Sequence, residues 1–480
     1  QDGTCNGLQH YAALGGDLEG AKQVNLSPSE RPMDVYSYVA RLVQARVDED
    51  VKQGKSQAAL VQHSIKRKVI KQTVMTNVYG VTYLGATQQI AKQLHDEFGK
   101  DTAYYLSRYL TLHVFASIRE LFHGAHLIQD WLGECAKRIG SAVRIDLDES
   151  EIWDPKHNKL LCMTSVIWTS PLGLPIVQPY RQNSTTSIQT NLQAITIQDP
   201  FALNAVNGRK QYTAFPPNFI HSLDASHMLL TAVEAGREGM DFAAVHDSYW
   251  THACDVDRMN KIIREKFIAL HQVDLVQRLK NEFEKRYQGY LLQIPVQEDH
   301  PAAVLVKEFK KKYHEENGTR LSLLEEISLE KKRRALLNSA DVDEVNQGLK
   351  MKTTISILEG IDFEELIDSH EKRKKAKSKE INVRAKASYQ LKQYSKTVIR
   401  IKDKLLKCED IVEKERLQHQ LADAIEKAAN VENEHMASME EKPRGKSGLT
   451  NILVPLRLPE VPPKGDFDVN EVRKSLYFFS

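Results

Sequence analysis

No stretch of the 480-residue sequence comes near the roughly 20 consecutive apolar residues that cross a bilayer, which excludes a helical membrane span. Cysteine is scarce. The five present (Cys5, Cys135, Cys162, Cys254 and Cys408) are scattered, none pairs with another at zinc-ligand spacing, and the odd count argues against a disulfide framework. A reducing compartment fits. An excess of either charge is missing too: 66 Lys and Arg stand against 64 Asp and Glu. Net charge therefore argues neither for nor against a polyanionic partner, and only local clustering can. The chain starts at Gln1 rather than Met, with no signal or transit peptide ahead of it. The expectation is a C-terminal piece of a longer protein. At 27% charged and 41% hydrophobic residues the balance is that of a soluble chain, and the length suits about two to four domains.

Three stretches carry chemistry. In the first, Phe242-Ala243-Ala244-Val245 leads into His246-Asp247 and Ser248-Tyr249-Trp250 follows, a pattern of strand, tight turn, strand. The turn presents the Asp247 carboxylate, a ligand type that suits Mg²⁺, although an Asp in a hairpin turn is ordinarily only a turn residue. The second is Asp2-Gly3-Thr4-Cys5-Asn6-Gly7-Leu8-Gln9-His10, in which a strand end turns into a helix and Asp2 with the adjoining carbonyls can reach a metal. In the third, Arg67, Lys71, Met75 and Tyr79 are spaced by four, and Gly80 closes the run as a helix stop. Four helical residues turn about 400°, so the four side chains drift only about 40° per step and line one oblique stripe. Arg and Lys at that spacing are often a solvated basic face. Here the two cations suit phosphates, and the aromatic at the far end suits a base or sugar.

The remaining chain is mostly helical in pattern. Asp34 opens a helix through Tyr36, Val39, Leu42 and Val43, and residues from Thr102 to about Ala142 read as long core helices. Leu160–Met163 and Val166–Trp168 read as strands around the turn Ser170–Pro175. Ile188 to Ile197 alternates as one arm of a hairpin that returns through Gly208-Arg209-Lys210. Pro216 and Pro217 should stop any preceding helix, with Asn218 capping a new one that carries His221 near its start. Alone, His221 is more often a structural histidine. From His300 to about Ser447 glycine is sparse and charge dense. There Leu391, Tyr394, Val398, Ile401, Leu405, Cys408 and Val412 form a heptad seam, which resumes out of phase at Leu417 and Leu421. The basic block Lys372–Lys377 reads as a solvated face or mobile loop, with nucleic-acid contact the sharper alternative. A short helix, Val469 to Ser475, precedes the tail Leu476-Tyr477-Phe478-Phe479-Ser480, whose aromatics should dock back onto the body.

The three stretches resemble motifs A (Asp2–His10), B (Arg67–Gly80) and C (His246–Thr251) of the single-subunit RNA polymerases of bacteriophages and mitochondria. Pro217-Asn218-Phe219-Ile220-His221-Ser222 and the aromatic C-terminal foot match as well. The resemblance covers about Gln1–Tyr290 and Asn451–Ser480. It implies an α+β, mostly helical right-hand fold: a palm and fingers region over 1–299, a charged, coiled-coil-like helical insertion over 300–447, and a palm segment with the foot over 448–480. It further implies DNA-templated RNA synthesis by two-metal nucleotidyl transfer. Asp2, the Gly3 carbonyl and Asp247 would hold two Mg²⁺ ions. Arg67 and Lys71 would contact the triphosphate, with Lys71 the proton donor to pyrophosphate. Met75, Tyr79, Gly80 and His221 would complete the nucleotide site, Tyr79 stacking there and helping to select ribose. The implied partners are DNA template, RNA product, ribonucleoside triphosphates and a mitochondrial initiation factor, and the implied location is the mitochondrial matrix. The hairpin near Ile188–Lys210 takes the place of the promoter-reading loop. Two rivals remain at this level. One is a related DNA polymerase, against which Met75 (usually aromatic there) and Ser248 (usually an acid) both speak. The other is an inactive fragment whose helical insert is an interaction module.

Overall fold

The computed structural model describes residues 1–145, 164–182, 185–198, 204–370, 372–373, 397–405, 414–415, 417–422, 424–426, 429 and 448–479. The expected strand Leu160–Met163, the seam positions Leu391, Tyr394, Cys408 and Val412, and Lys374–Lys377 of the basic block lie outside these residues. Helices dominate and the sheets are small, as expected for an α+β chain. Among the described residues no helix is long and apolar enough to cross a membrane.

Two compact units are present, Gln1–Leu292 with Pro455–Ser480, and Gln293–Val454. The first begins with eight helices: α1 (Asn6–Gly15), α2 (Leu18–Gln23), α3 (Val35–Lys52), α4 (Ser56–Val61), α5 (Arg67–Asn77), α6 (Tyr83–Phe98), α7 (Lys100–Leu121) and α8 (His123–Ser141). Apolar residues at steps of four explain the long ones. Val35, Val39, Val43 and Val47 of α3 are fully buried, as are Leu106, Leu110, Val114 and Ile118 of α7. Strand β1 (Ala142–Val143) and two ribbons follow, β2 (Ile167–Thr169) with β3 (Pro175–Val177) and β4 (Thr185–Gln189) with β5 (Ala194–Gln198). Then come α9 (Gly208–Arg237), the hairpin β6 (Ala243–Val245) with β7 (Ser248–Trp250), α10 (Val256–His271), α11 (Leu275–Arg286) and the start of β8 (Leu291–Gln297).

Two sequence expectations fail here. The stretch Ile188–Ile197 is not one arm but parts of both, closed by a turn in which Thr190 N–H donates to the Gln193 carbonyl at 2.9 Å. Its every strand residue is exposed, so alternation could not mark a buried face. Gly208-Arg209-Lys210 instead opens α9, capped by the Asn207 side chain accepting from Lys210 N–H at 3.1 Å. That helix continues through Pro216 and Pro217. The two prolines remove helix hydrogen bonds, but they are buried, as are Phe215, Phe219 and Leu223 of the same helix, and this burial offsets the loss. Asn218 is not a cap. Its amide donates to Gln178 Oε1 at 2.9 Å and Tyr180 Oη at 3.2 Å. His221 therefore sits in mid-helix.

The tail docks as expected. Phe478 and Phe479 are buried, Phe479 stacks on Tyr249 with centroids 5.3 Å apart, and Val469–Lys474 forms a 3₁₀ helix. On the way, the chain crosses α1's end at the closest approach two backbones allow. Gly465 N–H donates to the Gly15 carbonyl at 2.8 Å and Phe467 N–H to the Gly16 carbonyl at 3.1 Å. Gly16 has φ +69°, a left-handed conformation that favours glycine.

The core around this tail holds three fully buried histidines. His10 Nδ1 meets His271 Nε2 at 2.9 Å, and His227 Nε2 donates to the Ile263 carbonyl at 2.9 Å. Burial lowers all three, His227 to about 4 and His271 to about 3, so they stay neutral in the folded chain. An unfolded His takes up its proton near pH 6.5. Below that pH the unfolded state binds more protons, so stability is present at neutral pH and lost as pH falls from about 6.5 towards 4. His227 and His271 each contribute a loss of about 2 kcal/mol by pH 5, at about 1.4 kcal/mol per pH unit, and His10 acts in the same direction. Urea midpoints at pH 7.5 and 5.0 measure this, and equal midpoints would contradict it.

The second unit runs from Gln293 and includes α12 (Pro301–Asn317), α13 (Leu323–Leu337) and α14 (Val342–Lys350). A capping box between Ser322 and Glu325 starts α13, and the buried Glu330 is satisfied by Thr353 Oγ1 at 2.6 Å and Arg334 Nε at 2.9 Å. Of the expected seam, Val398, Ile401 and Leu405 lie on helical residues and are half-buried between exposed neighbours, and Leu417 is buried. Strand β9 (Leu449–Pro455) returns beside β8, with Glu298 N–H donating to the Gly448 carbonyl at 3.1 Å.

Candidate functional site

Asp247, in the turn between β6 and β7, and Asp2, 245 positions away in sequence (247 − 2), are brought together where Asp2 bridges to Ser248. The hairpin β6–β7 is closed by His246-Asp247, with His246 at φ 58°. The segment Gln1–Gly3 runs beside β7, antiparallel to it at an isolated bridge. Tyr249 N–H donates to the Gln1 carbonyl at 2.8 Å, Gly3 N–H donates to the Asp247 carbonyl at 3.1 Å, and Asp2 bridges to Ser248. Ser248 Oγ donates to Asp2 Oδ1 at 2.9 Å. The Gly3 carbonyl accepts from Cys5 N–H at 2.9 Å, which leaves it one lone pair. Cys5, at φ 59° and ψ 62°, turns the strand into α1. Two non-glycine residues in the left-handed region, one beside each carboxylate strand, are the kind of local strain that gathers at functional sites.

Electrostatics single out the same place. Burial pushes the Asp247 carboxyl above the usual range, and the Asp2 charge adds to it. A third carboxylate, Asp224 on α9, is pushed up to about 6 by burial and by Asp247. It accepts from the Asn6 amide and lies 3.7 Å from His246 Nδ1. The negative charge of Asp2 and Asp247 faces no Lys or Arg ion-pair partner among the described residues. Two oxygen-donor carboxylates and a backbone carbonyl so placed suit a hard divalent cation. Among the described residues no group of three or more His, Cys, Asp and Glu is arranged to hold a metal. Asp224 was missed by sequence reasoning. Only its place one helical turn past His221, in His221-Ser222-Leu223-Asp224, hinted at it.

The stripe from the third stretch is a surface feature. Arg67, Lys71, Met75 and Tyr79 are exposed, while Val69, Ile70, Thr73 and Val74 on the other side of α5 are buried. One correction applies. The helix ends at Asn77, so Tyr79 is not on it but in the turn beyond. Gly80 at φ 74° turns the chain, and Val81 N–H bonds back to the Thr76 carbonyl at 3.2 Å. That turn lays the Tyr79 ring on His221, centroids 4.8 Å apart and planes within 6°. His221 in turn meets His246 edge-on at 6.1 Å. Burial, with Cys5, Asp224 and Asp247 nearby, pushes the Tyr79 phenol up to about 12, and burial with His246 lowers His221. The aromatic end of the stripe therefore adjoins the carboxylates. At the other end the Arg67 guanidinium lies 5.1 Å and the Lys71 ammonium 5.8 Å from the Tyr36 ring centroid, and Tyr36 sits beside the Cys5 thiol.

Asp2 and Asp247 beside one another, the Tyr79–His221 stack next to them and the Arg67–Lys71–Met75 stripe of α5 therefore all lie in the first unit. The chain belongs to the DNA-dependent RNA polymerase family, whose model matches residues 1–480. It is 37% identical over 541 aligned residues to the mitochondrial DNA-directed RNA polymerase of Neurospora crassa, covering 100% of this chain and 37% of that protein. It is 51% identical over 295 residues to the mitochondrial enzyme of Schizosaccharomyces pombe, covering 61% of this chain and 25% of that protein. A Nicotiana tabacum protein, DNA-directed RNA polymerase 2A, is 45% identical over 60% of this chain and 82% of its own length. The chain thus spans about a third of the Neurospora relative and a quarter of the fission-yeast one.

Proposed function

We propose that this chain carries the catalytic palm and fingers of a mitochondrial DNA-directed RNA polymerase. The observation that carries the reading is the convergence of Asp2, bridged to Ser248, and Asp247 in the adjoining hairpin turn, next to the Tyr79–His221 stack. Asp2, Asp247 and the Gly3 carbonyl would hold the divalent ions, two Mg²⁺ in this reading, which when bound activate the 3′-hydroxyl and neutralise the triphosphate and leaving pyrophosphate. The protein's part is positioning and charge. Arg67 and Lys71 take the phosphates, and Lys71 holds at Nζ the proton that pyrophosphate needs. Met75, Tyr79 and Gly80 frame the nucleoside, and His221 supports the Tyr79 ring from behind. The exposed β4–β5 ribbon corresponds to the promoter-reading loop of the family, and the helical region inside 300–447 is an insertion. DNA template, RNA product and ribonucleoside triphosphates are the partners, joined by an initiation factor in the mitochondrial matrix.

Sugar choice tests this reading against DNA synthesis. The Tyr79 phenol keeps its proton at any working pH, so it is available as a donor near a ribose 2′-hydroxyl. Tyr79→Phe keeps the stack on His221 and removes only that donor. A site that hydrogen-bonds a hydroxyl rejects substrates lacking it, and the preference for ribonucleotides should fall by about 1–3 kcal/mol. The measurement is the ratio of kcat/KM for matched ribo- and deoxyribonucleotides in the full-length protein. An unchanged ratio would leave Tyr79 as a stacking residue alone, and a deoxyribonucleotide preference in the unmodified protein would refute RNA synthesis.

A further inference from the structure

Arg67 is held from the side. Its Nε donates to Asp34 Oδ2 at 2.6 Å, and its four Nη hydrogens have no protein partner among the described residues. Asp34 is itself fixed. Its Oδ1 accepts from Tyr36 N–H at 3.1 Å, which caps α3, and its Oδ2 also accepts from Ser37 Oγ at 2.6 Å. The guanidinium lies over the Tyr36 ring, its Cζ 5.1 Å from the centroid. A long side chain that would otherwise sample many rotamers is thus fixed at its Nε edge, and the double-donor Nη edge is left for a ligand. Lys71, one turn along, has no such tether among the described residues.

We infer that Asp34 is a positioning residue for the nucleotide: it holds Arg67 so that the free Nη edge meets the triphosphate. The inference rests on the reading of Arg67 as a triphosphate contact. Two opposing effects follow from a carboxylate near a polyanion. Its charge repels the phosphates, which by itself weakens binding. Its hydrogen bond pre-orders the arginine, which strengthens binding because less freedom is lost when the ligand arrives. Asp34 is partly exposed and its charge is already matched by Arg67, so repulsion is largely screened and pre-ordering wins.

The test is a double-mutant cycle in the full-length protein, read as KM and kcat for a ribonucleoside triphosphate in extension of a primed template. Asp34→Asn keeps a good helix cap but puts an amide in place of the charged acceptor. The expected result is a KM raised about tenfold, equivalent to about 1.4 kcal/mol, with kcat within about twofold. In an Arg67→Ala background the same change should leave KM where Arg67→Ala alone puts it. A merely structural role would lower kcat and act equally in both backgrounds. A fallen KM would make Asp34 a competitor for Arg67, and an unchanged one would remove it from nucleotide binding; either overturns the inference. If Arg67→Ala itself leaves KM unchanged, the triphosphate reading fails first and Asp34 has nothing to position. Should Asp34→Asn fold poorly by thermal melt, Ser37→Ala removes one tether from the same carboxylate and should raise KM in the same direction, about twofold to threefold. No rise there would likewise overturn it.

Discussion

Asp247→Asn should reduce RNA synthesis by a factor on the order of 10³ or more, corresponding to about 4 kcal/mol of transition-state stabilisation. The substitution is nearly isosteric. The turn, the Gly3 N–H bond to the Asp247 carbonyl and the bridge of Asp2 to Ser248 all use backbone or other side chains, so the sheet persists. What disappears is one of the two neighbouring negative charges, Asp247 in the turn beside Asp2, and an amide is a far poorer ligand for a hard cation. The effect belongs in the chemical step, with template affinity largely intact. Extension of a primed template by the full-length variant, alongside binding of a labelled template, measures both. Near-normal extension would make Asp247 only a turn residue.

Gly465→Ala should cost about 3 kcal/mol or more of stability. A Cβ there would lie 2.4 Å from the Gly16 carbonyl oxygen and 3.3 Å from the Gly15 oxygen. Neither strand of the crossing can yield easily, since each is tied to the other by backbone hydrogen bonds. Separating them would draw Phe478 and Phe479 from their seat on Tyr249 and His227, and with them the support under Gly3. Gly236→Ala is the matched control, because that helical glycine has no neighbour within 4 Å of an added Cβ. Thermal melts of the two variants decide the matter. Equal midpoints would mean that the crossing opens at no cost.

The elements that local chemistry specifies were legible in the sequence. His246-Asp247 between apolar strands, Asp34 before an apolar helix and the four-residue spacing of Arg67, Lys71 and Met75 each announce themselves within a few residues. Pairings set by distant packing were not. Nothing near Pro216 and Pro217 says that one helix, in which Phe215, Phe219 and Leu223 are also buried, runs through them. The exposed Ile188, Ile195 and Ile197 mimic an alternating strand while containing a turn. Asp224 and Asp34 look like ordinary helix carboxylates until the fold sets Asn6 and His246 beside one and Arg67 beside the other. The four-residue spacing sets Tyr79 on the right stripe for an incomplete reason, since the turn after Asn77, rather than the helix itself, carries its ring to His221.

Leu456 N–H donates to the Tyr290 carbonyl at 2.8 Å, so the chain departs from the first unit and rejoins it one hydrogen bond apart. Whatever lies between the two is, to that unit, a loop with closed ends. The entropy of closing a loop grows only with the logarithm of its length. Descendants of a common ancestor could therefore lengthen, shorten or replace this excursion by whole helices at little cost to the first unit. Selection on the segment would then follow what it binds rather than what it supports, and its sequence would be free to diverge faster than the sheet bearing Asp2 and Asp247.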